Sequence, residues 1–169
     1  MEKKSIYAKR IEKVQMSSIR IVMEKVEKLR NQGKSIVSLC AGEPDFNTPA
    51  GIKKATMDAL NDNQTHYSSN RGYAGLRQKV AQLLQEQTTI NYDSEQEIIM
   101  TCGCSEAINN TCLAFIDPGD EVIIFTPAFV SYQNTVLLCE GIPVEIPLKS
   151  RNGFQIDIEE VKNKITDKT

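Results

Sequence analysis

Gly103, Cys104 and Ser105 are the residues of this chain whose types and spacing point to chemistry. They follow the short apolar run Ile98-Ile99-Met100 and the turn Thr101-Cys102, and a helical pattern begins with them. Glycine lets the backbone approach a ligand closely. A helix start offers N–H groups with no acceptor inside the helix and about half a positive charge. Together these hold an anion such as phosphate, and Ser105 adds a hydroxyl. Glu106 opposes this by placing a carboxylate in the same first turn, and a plain strand-to-helix turn has the same spacing. Cys102 and Cys104 flank the glycine, but no second pair at ligand spacing accompanies them and His66 is the only histidine. Neither a metal site nor a cysteine nucleophile with a histidine base is therefore expected. No GxxxxGK[ST] stretch occurs, which argues against P-loop nucleotide binding.

The elements that must position this turn read as strand, helix, strand. Residues 98–100 and 121–125 are short apolar strands. Between them Ala107, Ile108, Thr111, Cys112 and Phe115 fall on one helical face. Asp117-Pro118-Gly119-Asp120 stops that helix, since proline cannot continue it and glycine accepts the turn. A βαβ unit of this kind builds a parallel sheet covered by helices, with ligands at the carboxyl ends of its strands. Gly103 to Ser105 lie at such an end.

Elsewhere residues 1–17 read as an irregular or helical arm. Ser18 is the expected cap of a helix running through Leu29, with Ile19, Val22, Met23, Val26 and Leu29 inward and Gly33 as its stop. Residues 36–40 read as a strand, followed by a loop over 41–46. Thr48 and Pro49 open a helix that buries Ile52, Ala55, Ala59 and Leu60. Residues 61–72, with His66 and Tyr67, form a long polar connection of the sort that often carries function. A helix over 73–87 turns Leu76, Val80, Leu83 and Leu84 inward, another covers 129–138, and a strand covers 142–146. Asp157 with Glu160 signals a last helix that holds Val161 and Ile165. The chain stops at Thr169, where the alternating pattern next requires a strand, so it reads as an interrupted domain.

At 169 residues, 40% hydrophobic and 25% charged, the chain is long enough for a core and has the composition of a globular protein. No apolar run approaches membrane-spanning length and the N-terminus lacks an apolar signal core, so a cytoplasmic protein without a membrane partner is expected. Residues 1–34 hold ten Lys or Arg against four Glu, whereas the remainder holds ten against eighteen acids. Those basic residues alternate with apolar ones at helical spacing, as on a solvated helix face, and nucleic acid is not an expected partner. Five cysteines, an odd number set mostly in apolar stretches, fit reduced thiols better than a disulfide framework.

Six segments in order extend the reading: Ser38-Leu39-Cys40-Ala41-Gly42-Glu43-Pro44-Asp45-Phe46, Tyr67, Gly72-Tyr73-Ala74-Gly75-Leu76-Arg77, Thr101-Cys102-Gly103-Cys104-Ser105-Glu106-Ala107, Asp117-Pro118-Gly119-Asp120-Glu121-Val122 and Pro127-Ala128-Phe129-Val130-Ser131-Tyr132. With them, residues 5–169 resemble the class I/II aminotransferases, the aspartate-aminotransferase-like group of fold-type I pyridoxal phosphate enzymes. The resemblance implies an incomplete fold-type I large domain, mainly parallel sheet with flanking helices, over 48–169. It implies that 1–47 supply an N-terminal arm, a helix and a substrate-loop segment belonging to a small domain.

The resemblance also implies roles. The backbone N–H groups of Gly103, Cys104 and Ser105 cradle the phosphate of pyridoxal 5'-phosphate, and Phe129 stacks on its ring. Tyr67 reaches the phosphate of the partner subunit's cofactor, so a homodimer completes the site, and the backbone at Gly42 faces the substrate carboxylate. Cys104 departs from the glycine or alanine frequent at its position, with no consequence where only the backbone is used. Family members transfer an amino group between an amino acid and a 2-oxo acid with a lysine that forms a Schiff base. That lysine, the substrate-binding arginine and the groups near the pyridine nitrogen and hydroxyl belong to later segments with no match here. No catalytic residue is assigned in this chain, and alone it is expected not to transaminate. A C–S lyase or decarboxylase on the same scaffold is the nearest alternative, and a noncatalytic remnant acting as an interaction module is the alternative of another kind.

Overall fold

The computed structural model describes residues 6–14 and 16–169. Parts of the expected N-terminal arm, residues 1–5 and 15, lie outside the described residues. The chain divides into two compact units, one of residues 1–40 with 103–169 and one of residues 41–102.

The first unit is built on a parallel pair, β1 (Glu121–Thr126) and β2 (Ile142–Pro147), in the register Glu121 opposite Ile142 through Thr126 opposite Pro147. Parallel neighbours need a crossover, and α5 (Ser131–Leu138) supplies it. The βαβ unit is thus 121–147, one step later in the chain than the spacing of apolar runs suggested. Its core is Ile124, Thr135, Val136, Cys139 and Ile146, with Ile146 the most deeply buried. Burial of each large aliphatic side chain here contributes about 1.5–3 kcal/mol. Gly141 sits where a Cβ would lie 2.8 Å from Ile116 Cγ2 and 3.0 Å from Val136 Cγ1, so only glycine lets the chain pass into β2.

The helix α4 (Cys104–Phe115) packs on α5 and ends, as expected, at the Asp-Pro-Gly-Asp turn. Gly119 has φ +96°, Asp117 donates its N–H to Asp120 Oδ2 at 2.8 Å, and Ile142 donates to the Asp120 carbonyl at 2.7 Å. The turn is therefore tied to the start of β2. Ala107, Ile108 and Cys112 are half-buried, but Thr111 is exposed and Phe115 is 81% exposed, against the single buried face that their spacing indicates. Helical spacing aligns residues on a face; it does not supply a neighbour to cover them.

Before these, a 3-10 turn (Lys9–Lys13) rests on α5. The helix α1 (Ser18–Asn31) has Ser17, not Ser18, at its cap position, without a side-chain capping bond. Its end matches the expected glycine stop: Gly33, at φ +77°, donates to the Arg30 carbonyl at 2.9 Å and Lys34 donates to that of Leu29 at 3.2 Å. Residues 36–40 form no strand. Ile36, Ser38 and Cys40 are half-buried while Val37 and Leu39 are exposed, so the alternation of a strand exists without a ladder partner among the described residues. The last helix, α6 (Ile158–Lys162), is capped by Asp157 Oδ1, which accepts from the N–H groups of Glu159 at 3.0 Å and Glu160 at 3.3 Å. Glu160 pairs with Lys149 Nζ at 3.2 Å, and Ile165 lies past the helix end.

The second unit holds α2 (Ala50–Asn61) and α3 (Ala74–Thr88). Pro49 rather than Thr48 occupies the cap position of α2. The inward face expected of α2 is largely open: Ile52 and Leu60 are exposed and only Ala59 is half-buried. On α3, Val80 and Leu84 are half-buried and Leu76 and Leu83 exposed. Residues 98–100 are not a strand; the Met100 N–H donates to the Arg71 carbonyl at 3.0 Å, and Ile98 is buried.

Candidate functional site

Gly103 begins the candidate site. It occupies the cap position of α4 with φ +83° and ψ 170°, a backbone region essentially confined to glycine. Apart from its chain neighbours, no atom lies within 4 Å of where its Cβ would be, so the space beside Gly103 is open. Cys104 and Ser105 follow as the first two helical residues, and both are exposed. The Gly103 carbonyl accepts the Ala107 N–H at 3.3 Å, which aims the intervening first-turn N–H groups out of the helix end. Half a positive charge at that end favours an anion by about 0.3–1 kcal/mol when exposed. Glu106 lies in the same turn and takes part of that field.

Phe129 lies in the same unit, after the end of β1 and just before α5. Its ring is half exposed and meets the Tyr132 ring edge-to-face, with centroids 5.9 Å apart and planes at 73°. An edge contact fixes a ring while leaving area for a planar ligand, and such stacking contributes about 0.5–1.5 kcal/mol. The Thr126–Pro127 peptide between β1 and this ring is cis.

Tyr67 and Gly42 lie in the second unit. Tyr67 is fully exposed in the connection after α2 and lines a shallow open depression with Thr65 and His66. Gly42 is exposed in the loop before α2, with open space where a Cβ would be.

Arg77 carries more than sequence reading assigned to it. On α3 it is 2% exposed, and all three of its donor nitrogens are used. Nε donates to the Ser94 carbonyl at 2.7 Å, Nη1 to the Gly72 carbonyl, and Nη2 to Glu95 Oε2 at 2.7 Å. The signal was present: Arg77, Val80 and Leu84 are spaced as one apolar face, and a charge in such a row marks a buried, paired side chain.

The cysteines carry no bond to one another; Cys102 and Cys104 are exposed and Cys139 is buried. Burial, and then the nearby Cys139, push the Cys112 thiol above its ordinary range, so it stays protonated. Among the described residues no cluster of three or more His, Cys, Asp or Glu could hold a metal, and no helix is long and apolar enough to cross a membrane.

The parallel βαβ unit makes this an α/β chain, and its structural neighbours include aspartate aminotransferases of fold-type I. The aspartate aminotransferase of Thermus thermophilus, solved with maleate, superposes with a TM-score of 0.92 at 35% identity, over 98% of this chain and 43% of its own. The chain belongs to the family described as aminotransferase class I and II, whose sequence profile matches residues 34–169. It is 42% identical over 136 residues to the aspartate aminotransferase of Pyrococcus abyssi, covering 80% of this chain and 35% of that one. It is 35% identical over 162 residues to a probable aspartate/prephenate aminotransferase of Aquifex aeolicus, covering 96% and 41%. The chain thus spans about two fifths of the length of the relatives it matches.

Proposed function

We propose that this chain is the cofactor-gripping part of a pyridoxal 5'-phosphate-dependent aminotransferase, which moves an amino group between an amino acid and a 2-oxo acid. The observation that carries the reading is the Gly103 backbone, held at φ +83° ahead of an open, exposed helix start, in a chain of aminotransferase family. The residues fit the group: the space beside Gly103 is open, and the backbone of Gly103, Cys104 and Ser105 suits its oxygens. Phe129 offers a ring face to the pyridine. Tyr67, exposed on its own connection, suits the phosphate of a partner subunit's cofactor, and the homodimer is part of the proposal. Gly42 suits a substrate carboxylate at its backbone.

When bound, the cofactor supplies the electron sink that amino-group transfer needs. The residues of this chain hold and orient it; none is assigned a proton-transfer role. Residues 1–47 are read as the small-domain part and 48–169 as the first half of the large domain. A cytoplasmic location accompanies the reading. Relatives named for aspartate and prephenate favour substrates of that kind over lyase or decarboxylase chemistry.

Magnitudes limit what this chain does alone. The helix-end field contributes about 0.3–1 kcal/mol at this exposed end, stacking about 0.5–1.5 and a Tyr67 hydrogen bond to a charged phosphate about 1.5–3 within a dimer. Association costs roughly 4 kcal/mol or more, whereas micromolar binding requires about −8. Binding at millimolar concentration or weaker follows. The test is to incubate the complete protein containing these residues with pyridoxal phosphate, aspartate and a 2-oxo acid. The expected product is the amino acid of that oxo acid, with residues 1–169 alone giving none. Release of ammonia or carbon dioxide in its place overturns the reading.

A further inference from the structure

We propose that Arg77 is a positioning residue for the cofactor grip, fixing the backbone from which both the Tyr67 connection and the Thr101–Ser105 turn depart. The inference rests on the reading under Proposed function. Two chain segments of the second unit meet the Arg77 guanidinium. The Gly72 carbonyl ends the connection that carries Tyr67, Ser94 and Glu95 belong to the turn after α3, and Arg77 donates to all three residues. Arg71 adds a bond from its guanidinium to the Glu95 carbonyl. Its own carbonyl accepts the Met100 N–H at 3.0 Å, so the departing segment is bonded to the same knot. Thr101 follows Met100 directly, and Gly103 lies two residues beyond Thr101. Gly72, at φ +88°, presses so closely on Met100 that a Cβ there would lie 2.7 Å from the Met100 Cβ.

A planar guanidinium with a fixed fork of donors suits three acceptors on two segments; a lysine ammonium on a flexible stem does not reproduce that geometry. The Glu95 side chain is 60% exposed, whereas that of Arg77 is 3% exposed. The ion pair is therefore solvent-screened on one side, and the two carbonyl contacts carry the positioning. Arg77 touches no reacting atom in this account; it acts through the two segments it holds.

The test is amide hydrogen exchange on the whole chain of residues 1–169, for the unaltered protein, Arg77→Lys and Glu95→Gln. Pyridoxal phosphate and unphosphorylated pyridoxal are titrated separately into each. Ile142 and Leu148, whose N–H groups are bonded in the other unit, report on the fold as a whole. In Arg77→Lys the Gly72 and Met100 amides are expected to exchange roughly tenfold faster, equivalent to about 1.4 kcal/mol of easier local opening. Ile142 and Leu148 remain unchanged, and the preference for the phosphorylated compound shrinks. Glu95→Gln, which keeps both carbonyl contacts, shows a small effect on each readout. Unchanged exchange at Gly72 and Met100, equal acceleration at all four amides, or faster exchange with an intact phosphate preference each overturns the positioning role. If the unaltered chain shows no phosphate preference, the cofactor reading fails along with the cofactor clause here; exchange alone then decides whether the clamp exists.

Discussion

A Cβ placed on Gly72 would stand 2.7 Å from the Cβ of Met100, so the two backbones meet with no room for a side chain. Gly72 is also at φ +88°, where L residues are strained. Gly72→Ala meets both penalties and is expected to destabilise the chain by roughly 2–4 kcal/mol. Gly141→Ala meets only crowding, against Ile116, Val136 and the Asp120 carbonyl, and is expected to cost about 1–3 kcal/mol. Urea unfolding midpoints check both, and a midpoint for Gly72→Ala equal to that of the unaltered chain refutes the close approach.

Gly103→Ala separates strain from crowding, because no atom waits for the new methyl group. The strained backbone costs about 1–3 kcal/mol and relaxes by moving the turn. Affinity for pyridoxal phosphate is expected to fall while circular dichroism is unchanged. Gly33→Ala is the control: it too sits at positive φ, at the end of α1, and should lower stability without altering cofactor affinity. Equal loss of affinity in both variants would remove Gly103 from the site.

Phe129→Ala tests the ring. Loss of stacking worth about 0.5–1.5 kcal/mol is a roughly 2- to 13-fold loss of cofactor retention in the complete protein. Tyr132→Leu leaves Phe129 in place but removes its edge-to-face neighbour, and a smaller loss is expected. Cofactor retention unchanged in Phe129→Ala excludes the ring from the site.

Thiol labelling tests burial and charge state together. Cys102 and Cys104 are exposed and are expected to react first, with Cys139 last. Cys112 has its pKa raised, chiefly by burial, so less of it is thiolate at any given pH. Its labelling rate should go on rising with pH after that of an ordinary thiol, with pKa near 9.0, has levelled off. The same shift makes folding stability fully present below that pH and lost as pH rises through the folded-state pKa. Site-resolved mass spectrometry across a pH series reads each rate; equal rates at Cys104 and Cys139 would contradict the burial described.

Much of this was legible in the residues themselves. The periodicity of Ile19 to Leu29 with Gly33 behind it marks α1, although Ile19, Val22 and Met23 are exposed rather than inward; Asp117 to Asp120 marks the turn, and Asp157 marks a cap. These signals are local, made by residues within a few positions of one another. Residues 36–40 and 98–100 have strand-like composition, but a strand exists only through a ladder partner, which local composition does not report. The same reason leaves Ile52, Leu60 and Phe115 exposed on faces that their spacing marks as apolar. Gly103 was legible as a glycine opening a helix, while its φ of +83° comes from the structure; the buried fork of Arg77 depends on Gly72, Ser94 and Glu95 meeting in space.

The most direct test of the central claim is a set of amide chemical shifts for Gly103, Cys104 and Ser105 during titration with pyridoxal phosphate, inorganic phosphate and pyridoxal. The account predicts that these three amides move together with both phosphate-bearing ligands and remain still with pyridoxal. Shifts confined to other residues, or equal shifts with and without phosphate, would contradict it.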